Sequence, residues 1–130
     1  MRFAITFPLL MTLLHCGPDE TLSGYGAADV TWKLIEINGT AFAAEASVQF
    51  PEEGKINGTG PCNTFFGTQS EPYPWFNAEK IAGTRRACPE LEAEALLLKS
   101  LEKMTLAEIA GMTLILSNGD GGQMVFKAAP

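Results

Sequence analysis

PELEAEALLLKSLEKM, residues 89–104, is the stretch of the chain that decides its fold class. A proline opens this stretch and glutamates fill its early turns, and both features signal the start of a helix. When residues 89–104 are projected onto a helix at about 100° per residue, the charged residues Glu92, Lys99 and Lys103 lie on one side of it. The opposite arc is apolar, which predicts an amphipathic helix with one buried face. The residues expected on that face are Leu91, Ala95, Leu97, Leu98, Leu101 and Met104.

Outside this helix the sequence alternates between apolar and polar residues, which is the two-residue period of β-strands. Strands are predicted at 30–37, 46–50, 55–60, 63–68 and 75–79 before the helix, and at 106–109, 112–116 and 124–126 after it. The Asn38-Gly39 pair and the glycine-rich run 118–122 mark turns. This order predicts an α+β fold, a small, strongly curved antiparallel β-sheet or half-barrel with one helix inserted late.

Length and charge exclude several classes of function. The chain has 130 residues, which is enough for one compact domain. Nine basic and fifteen acidic side chains give a formal net charge of −6, whereas nucleic-acid binding requires a basic surface. We therefore expect no nucleic-acid partner, and no attachment to anionic lipid through a basic patch.

The N-terminus has the features of an export signal. Arg2 is followed by an apolar stretch at 3–14 that is far too short to span a bilayer. Residues 1–15 are therefore predicted to be an export signal peptide.

The sequence that follows the signal suggests a lipid anchor. Leu13-Leu14-His15-Cys16 resembles the lipobox of bacterial lipoproteins, in which the cysteine becomes the acylated first residue, although a small residue usually stands where this chain has histidine. Cys16 is the expected lipid attachment, 16–29 the expected flexible tether and 30–128 the folded domain. The alternative is an ordinary secretory signal, cleaved near 26–28.

The residues available for chemistry point away from an enzyme. The one histidine is His15, inside the predicted signal, so the exported chain has no histidine for a catalytic triad or a zinc site. The run 118–122 lacks the alternating ligands of a calcium loop, and no spacing recommends a pair of catalytic carboxylates. We expect no enzymatic activity, no cofactor and no metal.

The two remaining cysteines, Cys62 and Cys88, form an even pair in an exported chain. In an oxidising compartment such a pair is most simply a structural disulfide. The alternatives are two free buried thiols or a redox-active pair, which is more often a short Cys-x-x-Cys.

Several motifs resemble those of a known family. The run GTGPCNTFFG at 58–67, the run IAGTRRAC at 81–88 and the opening Trp32-Lys33-Leu34 are similar to motifs of the META domain, the HslJ-like family of bacterial lipoproteins. The resemblance covers roughly residues 30 to 127. Departures from the family pattern are Pro61 beside Cys62, Leu97 in place of an aromatic residue and Ala107 where an aromatic is common. The family-motif residues are Trp32, Gly58, Gly60, Asn63, Gly67, Thr84 and Glu94.

The resemblance implies a fold and a compartment but little chemistry. Members are small, barrel-like domains of the bacterial cell envelope, and no catalytic residues are established for them. The motif residues are therefore interpreted as determinants of the fold, with the glycines at bulges or sharp bends. With Gly17 after the cysteine, the expected location is the outer membrane, on its periplasmic face and lipid-anchored.

Two functions are consistent with these features. The first is a non-enzymatic envelope lipoprotein with a binding or assembly role or a role in stress tolerance, whose partner is a protein, a peptide or a lipid. The second is a structural, stabilising or inhibitory envelope domain without a specific ligand. The aromatic residues near the motif either form core, which is favoured, or an exposed patch. These residues are Phe65, Phe66, Tyr73, Trp75 and Phe76.

Glu94 is a charged residue that lies within the apolar arc of the predicted helix. An unpaired carboxylate is costly to bury, so Glu94 needs a partner there. The nearest cations are Arg85 and Arg86, which precede the helix, and one of them is the expected partner. Exposed backbone N–H groups at the start of the helix are a second, weaker source of stabilisation. The alternative is a slightly rotated helix with Glu94 solvated at its edge.

Overall fold

The computed structural model describes residues 17–129, so the predicted export signal and Cys16 lie outside the described residues. Within that range the chain forms nine strands and one α-helix. The strands are β1 (Thr31–Ile37), β2 (Thr40–Ala41), β3 (Ser47–Gln49), β4 (Gly54–Thr59), β5 (Thr64–Gln69), β6 (Glu79–Gly83), β7 (Leu106–Ala110), β8 (Thr113–Ser117) and β9 (Gln123–Ala129). The helix α1 (Leu91–Lys103) lies between β6 and β7 in the chain.

All strands belong to one open antiparallel sheet, in the order β6-β5-β4-β3-β1-β9-β8-β7, with β2 paired to β1. The first long strand, β1, pairs with the last, β9, in the middle of this order. The two halves of the chain are therefore joined at the centre of the sheet, and β6 and β7 are its edges. The predicted fold class, an antiparallel α+β sheet with one helix late in the chain, is confirmed.

One face of the sheet and one face of α1 enclose the core. In β1 the buried residues Trp32 and Leu34 alternate with exposed or half-buried neighbours, as the two-residue period requires. The helix contributes Leu97 and Leu101, both fully buried, to the same cluster. Because the helix contributes side chains to the same core as the sheet, it packs against one face of the sheet.

The helix is rotated relative to the prediction. It begins at Leu91, two residues after the predicted start at Pro89, and Leu91 is 46% exposed. Ala95, also expected in the core, is exposed as well. Glu94, which is 5% exposed, lies instead within the buried face, three residues before the fully buried Leu97. The rotation follows from the hydrogen bonds of this carboxylate, described below.

The strand predicted at 75–79 is wrong. The chain there crosses to the opposite edge of the sheet, where Trp75 forms an isolated bridge with Leu106 of β7. Strand β6 begins later, at Glu79, because Phe76 first turns inward and is buried. Of the five aromatic residues in question, Phe65 and Phe76 are buried and Tyr73 is half-buried, whereas Phe66 and Trp75 are 61% and 55% exposed.

Part of the predicted tether lies against the domain. Residues Leu22–Tyr25 form a short 3-10 helix, and the side chains of Leu22 and Ala27 are buried in the core cluster. The Asp19 carboxylate accepts hydrogen bonds from the backbone N–H of Thr21 and the hydroxyl of Ser23, which fixes the turn.

Candidate functional site

Four of the family-motif residues, Gly60, Asn63, Thr84 and Glu94, meet where the β4–β5 loop contacts the start of α1. The Oε1 atom of Glu94 accepts hydrogen bonds from the backbone N–H groups of Cys62 at 3.0 Å and Asn63 at 2.8 Å. Its Oε2 atom accepts a third hydrogen bond from Asn63 Nδ2 at 2.6 Å. A buried carboxylate is stable here because three N–H donors replace its water.

The side chain of Asn63 connects this carboxylate to the loop before α1. Asn63 Nδ2 also donates to the backbone carbonyl of Arg86 at 3.0 Å. Asn63 Oδ1 accepts from the backbone N–H of Arg86 at 2.6 Å and from the Thr84 hydroxyl at 2.8 Å. Both donors and both acceptor positions of the amide are used, so its orientation is fixed.

A disulfide joins the same segments covalently. Cys62, next to Asn63, is bonded to Cys88 at the entrance of α1, with a Cα–Cα distance of 5.7 Å. The predicted disulfide is confirmed. Together with Asn63 and Glu94 it locks the β4–β5 loop, the β6–α1 loop and the first turns of α1 into one unit, which we call the clamp.

Three motif glycines provide room for close contacts. A Cβ atom on Gly60 would lie 2.5 Å from Glu94 Oε1, and one on Gly58 would lie 2.1 Å from the ring of Phe65. Gly58 pairs with Phe65 in regular register, so it is not at a bulge. Gly67 does lie at the register shift between β5 and β6, and a Cβ there would meet the Glu79 carbonyl at 2.9 Å. The predicted bulge is therefore found at Gly67. At Gly58 and Gly60, glycine is required because a larger side chain would collide with Phe65 or Glu94.

The predicted arginine partner of Glu94 is wrong. The ion pairs within residues 17–129 are Lys33 with Glu45 and Lys55 with Glu52, each at 3.6 Å, and neither includes Glu94. Backbone N–H groups and an amide take the place of the guanidinium. This contact has no local signal in the sequence, because Asn63 precedes Glu94 by 31 residues.

An open groove of about 430 Å³ lies beside the clamp, between the edge strand β6 and α1. Its apolar lining includes Ile81, Leu91 and Leu98, and its charged lining residues are Arg85 and Arg86. Both arginines are exposed, and neither belongs to an ion pair in the described part of the chain. The groove is therefore apolar along its walls and cationic at its rim, in a chain whose net charge is −6.

The profile of the META domain matches residues 26–130. The chain belongs to the META domain family. Its motif residues are thus explained by the fold of this META domain, with Asn63, Thr84 and Glu94 in the clamp and Trp32 in the core.

Solved structures share the fold of this META domain. An NMR structure of a protein from Burkholderia xenovorans is 19% identical, with a TM-score of 0.64, and the match covers 95% of this chain and 99% of that one. A crystal structure of a DUF4847 family protein from Bacteroides vulgatus is 13% identical, with a TM-score of 0.62, and the match covers 79% and 94% of the two chains. No curated protein matches the chain significantly.

Within residues 17–129, no group of three or more His, Cys, Asp or Glu side chains is placed to hold a metal ion. In the same range no helix of the META domain combines the length and the hydropathy needed to cross a bilayer.

Proposed function

We propose that this META domain is a non-enzymatic binding module of the bacterial cell envelope, attached to the outer membrane through a lipid on Cys16. The observation that carries the proposal is the groove between β6 and α1. It combines an apolar wall, formed by Ile81, Leu91 and Leu98, with the cationic rim of Arg85 and Arg86. Ligand sites commonly have this composition, a mostly apolar surface with a few polar groups that orient the ligand.

The clamp supports a binding role because it makes the groove rigid. The β6–α1 loop, which carries Arg85 and Arg86, is held through both backbone groups of Arg86 by Asn63. The disulfide at Cys88 fixes the far end of that loop. A surface that is ordered before binding avoids the entropic cost of ordering it on contact, which favours affinity.

The exposure of Leu91 is a second support. Leu91 lines the groove and remains 46% exposed, although a helix that served only to fill the sheet would gain stability by burying it. Another leucine of α1, Leu96, is equally exposed at 48% but does not line the groove. These two leucines form a matched pair for testing the site.

Binding is tested with the purified mature protein and defined probes: decapeptides selected from a random library, palmitate, and phosphatidylglycerol vesicles. We expect at least one class of probe to bind, and Leu91→Asp to weaken it about tenfold or more while Leu96→Asp changes it less than about twofold. Absence of binding to all probes, or equal effects of the two substitutions, would reject the binding role. The domain would then be a structural, stabilising or inhibitory one without a specific ligand.

The anchor is tested separately, because it concerns Cys16 and not the groove. Mass spectrometry of the exported protein should show a diacyl or triacyl mass increment on Cys16. The Cys16→Ser variant should lack this increment, and the protein should no longer be found in the membrane fraction. An unmodified N-terminus near 26–28 would show that the chain is secreted by an ordinary signal instead. The disulfide supports export in either case, because such bonds persist in oxidising compartments.

A further inference from the structure

The two edges of the sheet differ in a way that identifies the ligand class. We infer that the groove binds an extended acidic peptide, which adds to the sheet as a strand along β6. This inference rests on the proposed binding function and narrows it from any ligand to a peptide backbone in a defined register.

The edge at β7 is already covered by the chain itself. The Ala107 N–H donates to the Pro74 carbonyl at 2.8 Å, and the Ile109 N–H donates to the Tyr73 hydroxyl at 3.0 Å. The ring of Tyr25 stacks on Tyr73, with centroids 4.7 Å apart. Because these groups take up the outward donors of β7, this edge is closed to a further strand.

The edge at β6 is open. Strand β6 pairs with β5, and in the described chain no strand follows it in the order of the sheet. The Thr84 N–H donates to the Thr64 carbonyl at 3.1 Å and the Thr64 N–H donates to the Thr84 hydroxyl at 3.3 Å, so Thr84 directs its N–H toward β5. Since this direction alternates along an antiparallel strand, the N–H and C=O groups of Ile81 and Gly83 point away from β5, toward the open edge.

The length of this edge is limited by a bulge. Lys80 has a φ of 57°, and the register between β5 and β6 shifts beside it. Bulges and lysines are features that block unspecific strand pairing. The edge available for pairing is therefore short, from Ile81 to the beginning of the loop, and lies directly above the groove.

The side chains around this edge specify the peptide. A strand added to β6 would place alternate side chains over Ile81 and Leu91 in the groove. The side chains between them would lie on the other face of the sheet, near Ala82 and the exposed ring of Phe66, which pairs with it. Apolar or β-branched residues suit both faces.

The cationic rim of the groove favours a negatively charged peptide. Arg85 and Arg86 are the charged residues that line the groove, so they favour carboxylates at the loop end of the added strand. The net charge of −6 does not prevent this, because interactions beyond about 8 Å are screened at physiological ionic strength. A fatty acid would satisfy the apolar wall and the cations but not the free backbone groups of Ile81 and Gly83, so the peptide is favoured.

The probe is a capped nonapeptide with valine at alternate positions, threonine between them and two glutamates at one end. Two versions are made, one with the glutamates at the N-terminus and one with them at the C-terminus. Binding to the mature protein is measured by fluorescence anisotropy. We expect one of the two peptides to bind and its lysine counterpart to bind about tenfold more weakly. The Arg85→Glu, Arg86→Glu double variant should bind this peptide about tenfold more weakly than the wild type. The control variant, Lys99→Glu with Lys127→Glu, changes the net charge by the same amount outside the groove and should weaken binding less than about twofold.

Backbone N-methylation tests strand addition without altering the protein. In an added strand, the N–H groups of one alternate set face β6 and those of the other set face solvent. Methylating the first set should weaken binding about tenfold or more, and methylating the second should change it less than about twofold. Equal effects of the two sets would overturn strand addition.

The failures of the two proposals are distinguishable. Binding of palmitate or phosphatidylglycerol vesicles that is sensitive to Leu91→Asp, without binding of either peptide, would overturn the peptide inference and leave the groove as a ligand site. Absence of any binding sensitive to Leu91→Asp would overturn both.

Discussion

At the scale of single residues, the most informative feature is a carboxylate on the buried face of the helix, beside Leu97 and Leu101. Glu94 is 5% exposed and accepts three hydrogen bonds, two from backbone N–H groups and one from Asn63. The benefit is mutual, because the backbone N–H groups of Cys62 and Asn63 donate their hydrogen bonds to this carboxylate. The family-motif residues Asn63 and Glu94 are therefore a single structural unit, and neither is expected to tolerate replacement alone.

Removing the Glu94 carboxylate should destabilise the domain strongly. Glu94→Ala leaves two backbone N–H groups and an amide without an acceptor, so we expect the free energy of unfolding in urea to fall by about 3 kcal/mol. Glu92→Ala, on the exposed side of the same helix turn, should change it by less than about 0.5 kcal/mol. Equal and small effects would show that the hydrogen bonds contribute nothing to stability.

Gly60 should be sensitive to a methyl group for a reason that depends on Glu94. The Cβ atom of Gly60→Ala would lie 2.5 Å from Glu94 Oε1, and we expect a loss of about 1–3 kcal/mol. Gly119→Ala, where nothing lies within 4 Å of the added atom, is the matched control and should be nearly neutral. In the Glu94→Ala background the cost of Gly60→Ala should fall by about 1 kcal/mol or more, since the clashing atom is gone. Additive effects would contradict the contact.

At the scale of elements, the clamp explains why a 13-residue helix keeps its position on an open sheet. An isolated helix of this length is marginal in water and depends on tertiary contacts. Here its buried leucines contact the core, and its first turns are held by the disulfide at Cys88 and by Glu94. The polar and covalent contacts therefore fix the rotation of the helix, whereas the leucines supply most of its burial.

The disulfide should contribute through the loop that it closes. Its two cysteines are 26 residues apart, for which the chain-entropy model gives about 3–4 kcal/mol. We expect Cys62→Ser with Cys88→Ser to lose this amount in a urea denaturation, and reductant to lower the stability of the wild-type protein but not of the double variant. Alkylation without reductant should label neither thiol of the exported protein. Quantitative labelling of both thiols would show that the disulfide is absent from it.

At the scale of the whole molecule, the two ends of the described chain are joined to its centre. Strand β9 pairs with β1, so residues near the C-terminus are structurally central. At the other end, the segment before β1 places Leu22, fully buried, in the core. This segment precedes the region 26–130 matched by the META profile. The folded unit thus begins before the family domain does.

Leu22→Ala tests how firmly this N-terminal segment belongs to the folded unit. Creating a cavity at a fully buried leucine should cost about 2–4 kcal/mol of unfolding free energy. Leu96→Ala, at a leucine that is 48% exposed, should cost less than about 1 kcal/mol. If the two substitutions have equally small effects, residues 17–29 behave as the flexible tether that the sequence predicts.

Local sequence patterns were enough to predict the class of the fold, the late helix, most strands and a disulfide between Cys62 and Cys88. These follow from local periodicity, turn residues and cysteine parity, each of which is legible within a few neighbouring residues. The helical stretch at 89–104 and the strands predicted at 46–50 and 55–60 show this well, since the structure differs there by only a few residues at the element ends. The resemblance to the META family was recognisable for the same reason.

Four features became evident only in the assembled fold: the partner of Glu94, the rotation of α1, the crossing of residues 74–76 to β7, and the groove. Each depends on groups far apart in the chain, such as Asn63 with Glu94 or Ala107 with Pro74. Hydrophobic periodicity specifies which face of an element is apolar, but not which polar groups will lie opposite it. A hydrogen bond contributes more to stability once packing has removed water from both partners. The assembled sheet and helix provide that water-free environment.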